Sequence, residues 1–182
     1  MTSVKTTVLT AVCAALCVVV PMAFHAIPNA GSIFLPMHIP VLLCGMLCGW
    51  PFGFIAGMLG PLLSRLTTGM PPAAMLPGMM VECAVYGAIS GLVLKYVHTG
   101  KLYADLYISL IPAMLAGRVI SGIAKALIFA PDTTLAGWAT VSFVTGLPGI
   151  AIQLILIPAI LFALEKARLV PKRYPKVEVT VA

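Results

Sequence analysis

The chain has 182 residues, 61% of them hydrophobic and only 9% charged, against roughly 25% charged in an ordinary soluble domain. A soluble protein of this size could not hide so much apolar surface from water, so the expected class is an all-α integral membrane protein with lipid as its main solvent. The net charge of +6 raises nucleic acid as a partner; the cations Lys166, Arg168, Lys172, Arg173 and Lys176 instead crowd one end after an apolar run, the pattern of a cytoplasmic flank, so no nucleic-acid binding is expected.

A bilayer core takes about 20 apolar residues per helix, and six spans are read in a single membrane domain, 1–182. The first covers residues 4–24. A cleavable signal peptide is the alternative for it, but the run is long and no small-residue cleavage site ends it. The connection "HAIPNAGSIFLPMHIP" follows, with three prolines that cannot continue a helix. The second span, 41–48, is short, and Trp50-Pro51 breaks it from the third, 52–66. The fourth covers 76–97, the fifth 103–129 and the sixth 140–167, with a polar tail over 171–182. Placing both termini in the cytoplasm puts Lys5, Lys95, Lys101 and the terminal cluster inside. The 25–40 connection, "TTGMPPAAMLPG" and "APDTTLAGW" then lie outside.

Small residues recur within the spans. Gly45, Gly49, Gly53 and Gly57 fall at every fourth position, Gly87 pairs with Gly91, and Ala113 with Gly117 and Ser121. Helices in lipid associate by close approach, which such residues permit, so these are read mainly as internal packing. Pro51 predicts that the first series bends midway rather than forming one groove. Ala11 and Ala15 on the first span could serve internal packing or receive a partner's helix. The five cysteines, Cys13, Cys17, Cys44, Cys48 and Cys83, sit in apolar runs without metal-site spacing and read as soft packing residues, with no metal expected.

Ionisable groups are costly inside a bilayer and mark function by default. Glu82 lies about two turns into the fourth span, with Tyr86 four residues on along the same face. Arg118 is in the middle of the fifth span, and Lys125 follows two turns later on its face. His38 stands at the outer mouth between Pro36 and Pro40, and Gln153 adds a polar group to the sixth span. One reading pairs Glu82 with Arg118 as a structural tie and lets Lys125 snorkel outward. The functional reading gathers these groups into an outward-facing pocket under the 25–40 loop, for a small water-soluble ligand. Arg118 and Lys125 would meet a carboxylate or phosphate; Glu82, Tyr86 and Asn29 would meet donors or hydroxyls; His38 would orient or cap the loop. No Walker motif, zinc pair, nucleophile elbow or paired aspartates occur, so no catalytic residue or cofactor is assigned and no enzyme is expected.

The run "MHIPVLLCGMLCGWPFGFIAGMLGPLLSRLTTGMPP", followed by "MMVECAVYGAISGLV", resembles the substrate-binding membrane subunits (S components) of energy-coupling factor (ECF) transporters. The resemblance implies a six-helix bundle in a prokaryotic plasma membrane that captures one vitamin or related micronutrient from outside. It implies docking on a membrane coupling subunit carrying two cytoplasmic ATPases, and release by tipping over in the membrane. It also assigns Ala11 and Ala15 to the family's A-x-x-x-A contact with the coupling subunit. By element, the ligand would be sealed by the first loop (Asn29, His38) and lined by Glu82, Tyr86, Arg118, Lys125 and Gln153. The Met-His start of the nickel and cobalt branch is absent, since Thr2 follows Met1, so an organic cargo is expected. The cationic pair favours a niacin- or pantothenate-like carboxylate, with a pyridoxine- or pyrimidine-like ligand as an alternative. A self-sufficient carrier or channel is the competing function, and an intramembrane enzyme ranks behind it.

Overall fold

The computed structural model describes residues 3–24, 27–129, 134–171, 173 and 174; among them every regular element is helical. Residues 130–133 of the "APDTTLAGW" loop, Lys172, and 175–182 with Lys176 lie outside the described residues, and with them most of the polar tail. The helices are α1 (Ser3–Met22), α2 (Ala30–Phe34), α3 (His38–Cys48), α4 (Trp50–Thr68), α5 (Leu76–Tyr96), α6 (Leu102–Ala124), α7 (Leu135–Ala139) and α8 (Leu147–Lys166). Two π-helical turns, Lys125–Phe129 after α6 and Thr140–Thr145 after α7, widen the chain near one end of the bundle.

Among the described residues, five stretches are long and apolar enough to cross a membrane: Ser3–Met22, Ala30–Cys48, Leu76–Tyr96, Leu102–Ile128 and Leu147–Lys166. α4 has the length, at 19 residues, but its glycines and prolines and Arg65 dilute its apolarity. The chain is an all-α membrane bundle. α5 is its central post, packed against α3, α4 and α6, whereas α1 touches only α3 and α4 extensively and is the least buried of the crossing candidates.

The glycine series has two jobs. Gly49 adopts φ 94°, a conformation L side chains rarely tolerate, and there the chain turns from α3 into α4, with Pro51 in the first turn of the new helix. Gly45, Gly53 and Gly57 instead face α5. A Cβ on Gly91 would lie 2.5 Å from both the Gly45 carbonyl oxygen and the Trp50 nitrogen, so α3, α4 and α5 meet backbone to backbone.

The chain runs back and forth between two ends. Thr6, Cys48, Phe52, Leu94, Leu102, Leu161 and Arg173 border a cavity at one end, so the start of α1 and the exit from α8 lie together. That end is tied by a polar clasp. Asp105, fully buried in the first turn of α6, accepts from Thr99 N at 2.8 Å and Thr99 Oγ at 2.7 Å through one oxygen. Its other oxygen accepts from Arg173 Nε at 2.6 Å and Tyr174 OH at 2.5 Å. Arg173 also donates from Nη2 to the Leu94 carbonyl at 2.5 Å and to that of Val97, capping the last turn of α5. In this way the chain leaving α8 is held to the α5–α6 turn.

Candidate functional site

At the opposite end, α5 and α6 face each other with small residues between them. Gly117 leaves room for the Tyr86 ring, where no side chain would fit, and a Cβ on Gly78 would come within 2.9 Å of Lys125 Cγ. Freed of steric competition, the polar side chains of the two helices meet. Glu82 Oε1 accepts from Tyr86 OH at 3.1 Å, and Glu82 Oε2 accepts from Ser121 Oγ at 3.2 Å. Lys125 Nζ stands 3.9 Å from Oε2, and His38 Nε2, entering from the start of α3, stands 3.6 Å from Oε1. Tyr86 OH in turn accepts from Arg118 Nε at 2.8 Å. Glu82 and Arg118 are therefore linked through the tyrosine rather than as the direct pair considered from the sequence. The His38 and Tyr86 rings pack with centroids 5.1 Å apart.

This accounting leaves several groups open. Arg118 is 2% exposed, yet Nη1 and Nη2 have no hydrogen-bond partner, and neither ring nitrogen of His38 makes a hydrogen bond. The guanidinium lies over the Phe143 ring at 5.6 Å from its centroid. Gly146 completes the enclosure: a Cβ there would sit 3.4 Å from both Arg118 Nη1 and Leu35 Cδ1. Counting Glu82 as −1, Lys125 and Arg118 as +1 each and His38 as neutral, the cluster holds one uncompensated positive charge.

Gln153 and Asn29 are placed differently. Gln153 is fully buried on α8; its Nε2 donates to the Leu35 carbonyl at 3.4 Å and its Oε1 is unpartnered, so it ties α8 to the first loop. Gly149, one turn earlier, backs directly onto the Ile33 and Phe34 backbone. Asn29 is exposed, in a left-handed conformation before α2, and does not join the Glu82 cluster. It borders a cleft of about 230 Å³ under the first loop, with Phe24, Pro36, His38, Ser64, Met75 and Met79 among its walls. Of the cluster, His38 alone reaches this cleft, so the expected single pocket is two adjoining features that share one histidine. Three residues at the cluster were not singled out from sequence as ligand groups. Ser121 reads from its spacing as a packing residue, Trp138 falls in the connection before the sixth span, and Phe143 stands in the π-helical turn Thr140–Thr145, which breaks the 3.6-residue repeat. Among the described residues, no set of three or more His, Cys, Asp or Glu side chains could hold a metal ion.

An all-helical membrane bundle with a buried, partly unsatisfied polar cluster near one mouth has the build of a membrane protein that holds a small solute. The chain belongs to the family described as ECF transporter, substrate-specific component, whose sequence model matches residues 5–161. It is thus the substrate-binding subunit of an ECF transporter, a family of transport subunits rather than enzymes, which bind a small substrate and pair with the ECF module of T component and ATPases. No curated protein and no solved structure matches the chain.

Proposed function

We propose that this subunit captures a small water-soluble micronutrient carrying a carboxylate, of the niacin or pantothenate kind, from outside a prokaryotic plasma membrane for ATP-driven uptake. The observation that carries the reading is Arg118: a guanidinium buried in a membrane protein with both terminal nitrogens unpartnered. A carboxylate answers that fork with two parallel charge-assisted bonds and balances the cluster's extra positive charge. A cationic ligand would have to compete with Lys125 and His38 for Glu82, which already accepts from Tyr86 and Ser121. Lys125 adds field strength, His38 joins the cleft to the cluster, and Gln153 holds the loop carrying Leu35. Asn29, exposed on that loop, serves as a contact at the entrance. The cleft of about 230 Å³, which meets the cluster at His38, is the way in on this reading and is below the roughly 300–1,000 Å³ of drug-sized pockets.

Both termini are cytoplasmic in this reading, and the ligand end faces out. Ala11 and Ala15 are exposed on α1, flanked by Val8, Val12, Leu16 and Val19, and form the face offered to the coupling subunit. Native mass spectrometry of the purified protein, followed by calorimetry with nicotinate and pantothenate, tests the ligand. Arg118→Ala should weaken a carboxylate by about a hundredfold, and the amide nicotinamide and the alcohol pantothenol should bind poorly. Unchanged affinity in Arg118→Ala removes Arg118 from the site. Solute entry into liposomes holding this chain alone would favour the self-sufficient carrier instead.

A further inference from the structure

Another buried donor near Arg118 lacks a partner: the indole nitrogen of Trp138. Thr134 caps α7 by accepting from Gly137 N at 3.1 Å, and the indole on that helix lies in a notch over Gly122, where no side chain would fit. Gly122 is one turn beyond Arg118 on α6. The Trp138 ring meets Phe143 edge-on at 5.8 Å, and the Arg118 guanidinium stands 5.6 Å from the same Phe143 ring. The separation of indole and guanidinium therefore cannot exceed the sum of those two lengths, short enough for one small molecule to reach both. A tryptophan serving only to fill space near a membrane boundary turns its N–H toward water or a carbonyl. Here the N–H is enclosed and unbonded, beside a π-helical turn of a kind frequently found at functional sites.

We infer that Trp138 is a specificity-determining residue: its N–H donates to an acceptor atom on the substrate while Arg118 takes the carboxylate and Phe143 supports the flat or apolar stretch between. The substrate class is thereby narrowed to small monocarboxylates bearing a ring nitrogen, carbonyl or hydroxyl oxygen a few atoms from the acid. The inference rests on the reading of Arg118 as the carboxylate anchor. A site built to bond an acceptor discriminates against the isostere lacking it, because the donor is then left buried and unpaired.

The matched probes are nicotinate and benzoate, which differ in the ring nitrogen, with pantothenate as a second acceptor-bearing acid. Trp50→Phe leaves Trp138 the one tryptophan of the chain, so its emission reports directly on the site. In that background, binding of nicotinate or pantothenate should shift Trp138 emission, and benzoate should bind at least about tenfold more weakly than nicotinate. Trp138→Phe should bring nicotinate down to the level of benzoate and leave benzoate unchanged, which also shows that the variant is folded. Calorimetric binding with silent Trp138 emission overturns the inference. So does an unchanged nicotinate preference in Trp138→Phe while Arg118→Ala weakens binding by about a hundredfold, an outcome that leaves the anchor standing. Unchanged affinity in Arg118→Ala, or no binding of either acceptor-bearing acid, overturns the anchor and the inference together.

Discussion

Replacing Asp105 by asparagine should loosen the end of the bundle remote from the proposed ligand site. The carboxylate takes four donors, two from Thr99, one from Arg173 and one from Tyr174, at 2.5–2.8 Å. An asparagine has one acceptor oxygen, so if it serves Thr99 its NH₂ group confronts Arg173 Nε and Tyr174 OH, two donors facing a donor. Removing one partner of a buried ion pair costs about 3–5 kcal/mol. Arg173 keeps 18% of its side-chain surface and regains some hydration, so the low end, about 3 kcal/mol, is expected. For a chain of this length that is a fall in Tm of about 6–12 °C. A thiol-reactive dye follows it directly, because Cys17, Cys44 and Cys83 are fully buried until the bundle opens. The ligand affinity of the folded variant should not change. In a double-mutant cycle with Arg173→Met the two losses should be strongly non-additive. An unmoved Tm, or simple additivity, would refute the clasp as a stabilising unit.

Glu82→Gln should also destabilise, by about 3 kcal/mol, since Lys125 and Arg118 would be left without a counter-charge in a region poor in water; thermal unfolding at low and high salt checks it. Gly117→Val places a side chain where the Tyr86 ring lies, and displacing Tyr86 strips Arg118 Nε of its acceptor; calorimetry should show carboxylate affinity down by about tenfold or more. Gly146→Val crowds Arg118 Nη1 and the Ser142 carbonyl and should lower carboxylate affinity, which calorimetry checks. Ala11→Trp with Ala15→Trp should abolish uptake by the assembled transporter while leaving binding by the isolated subunit intact, and an equal loss of both would make those alanines internal packing.

The membrane class was legible from composition alone, because no other solvent accommodates such a chain. Glu82 with Tyr86, and Arg118 with Lys125, were legible as pairs because helical spacing fixes which residues share a face. The connection between the pairs was not, since spacing along one helix carries no information on the rotation of the next. Tyr86 could be placed between Glu82 and Arg118 only once Gly117 was seen opposite its ring. Phe143 escaped for a related reason: the π-helical turn shifts the phase by which a residue's face is read, while Trp138, on the short α7, falls in the stretch read as an outer loop, where no helical face is assigned. Asn29 and Gln153 were placed by element rather than by position. The loop's geometry then put Asn29 on the surface and set Gln153 to holding the loop through Leu35.

The two ends of the bundle treat their arginines in opposite ways, and the difference bears on affinity. Arg173 spends Nε and Nη2 on a buried carboxylate and two helix-end carbonyls. Arg118, more deeply buried, spends Nε on a tyrosine hydroxyl and leaves both terminal nitrogens unbonded. Stripping a guanidinium of water is the expensive part of forming a buried ion pair. At Arg118 that cost falls on folding, offset in part by the tight glycine contacts of α3, α4 and α5 and by the clasp at the far end. On the proposed reading, a carboxylate arriving later has only its own hydration and freedom to give up, so more of the new bonds' free energy appears as affinity. Stability concentrated at one end thus permits an unsatisfied, preorganised anchor at the other. By the same argument, variants that weaken the clasp lower the folded fraction and the apparent number of sites before they alter the dissociation constant.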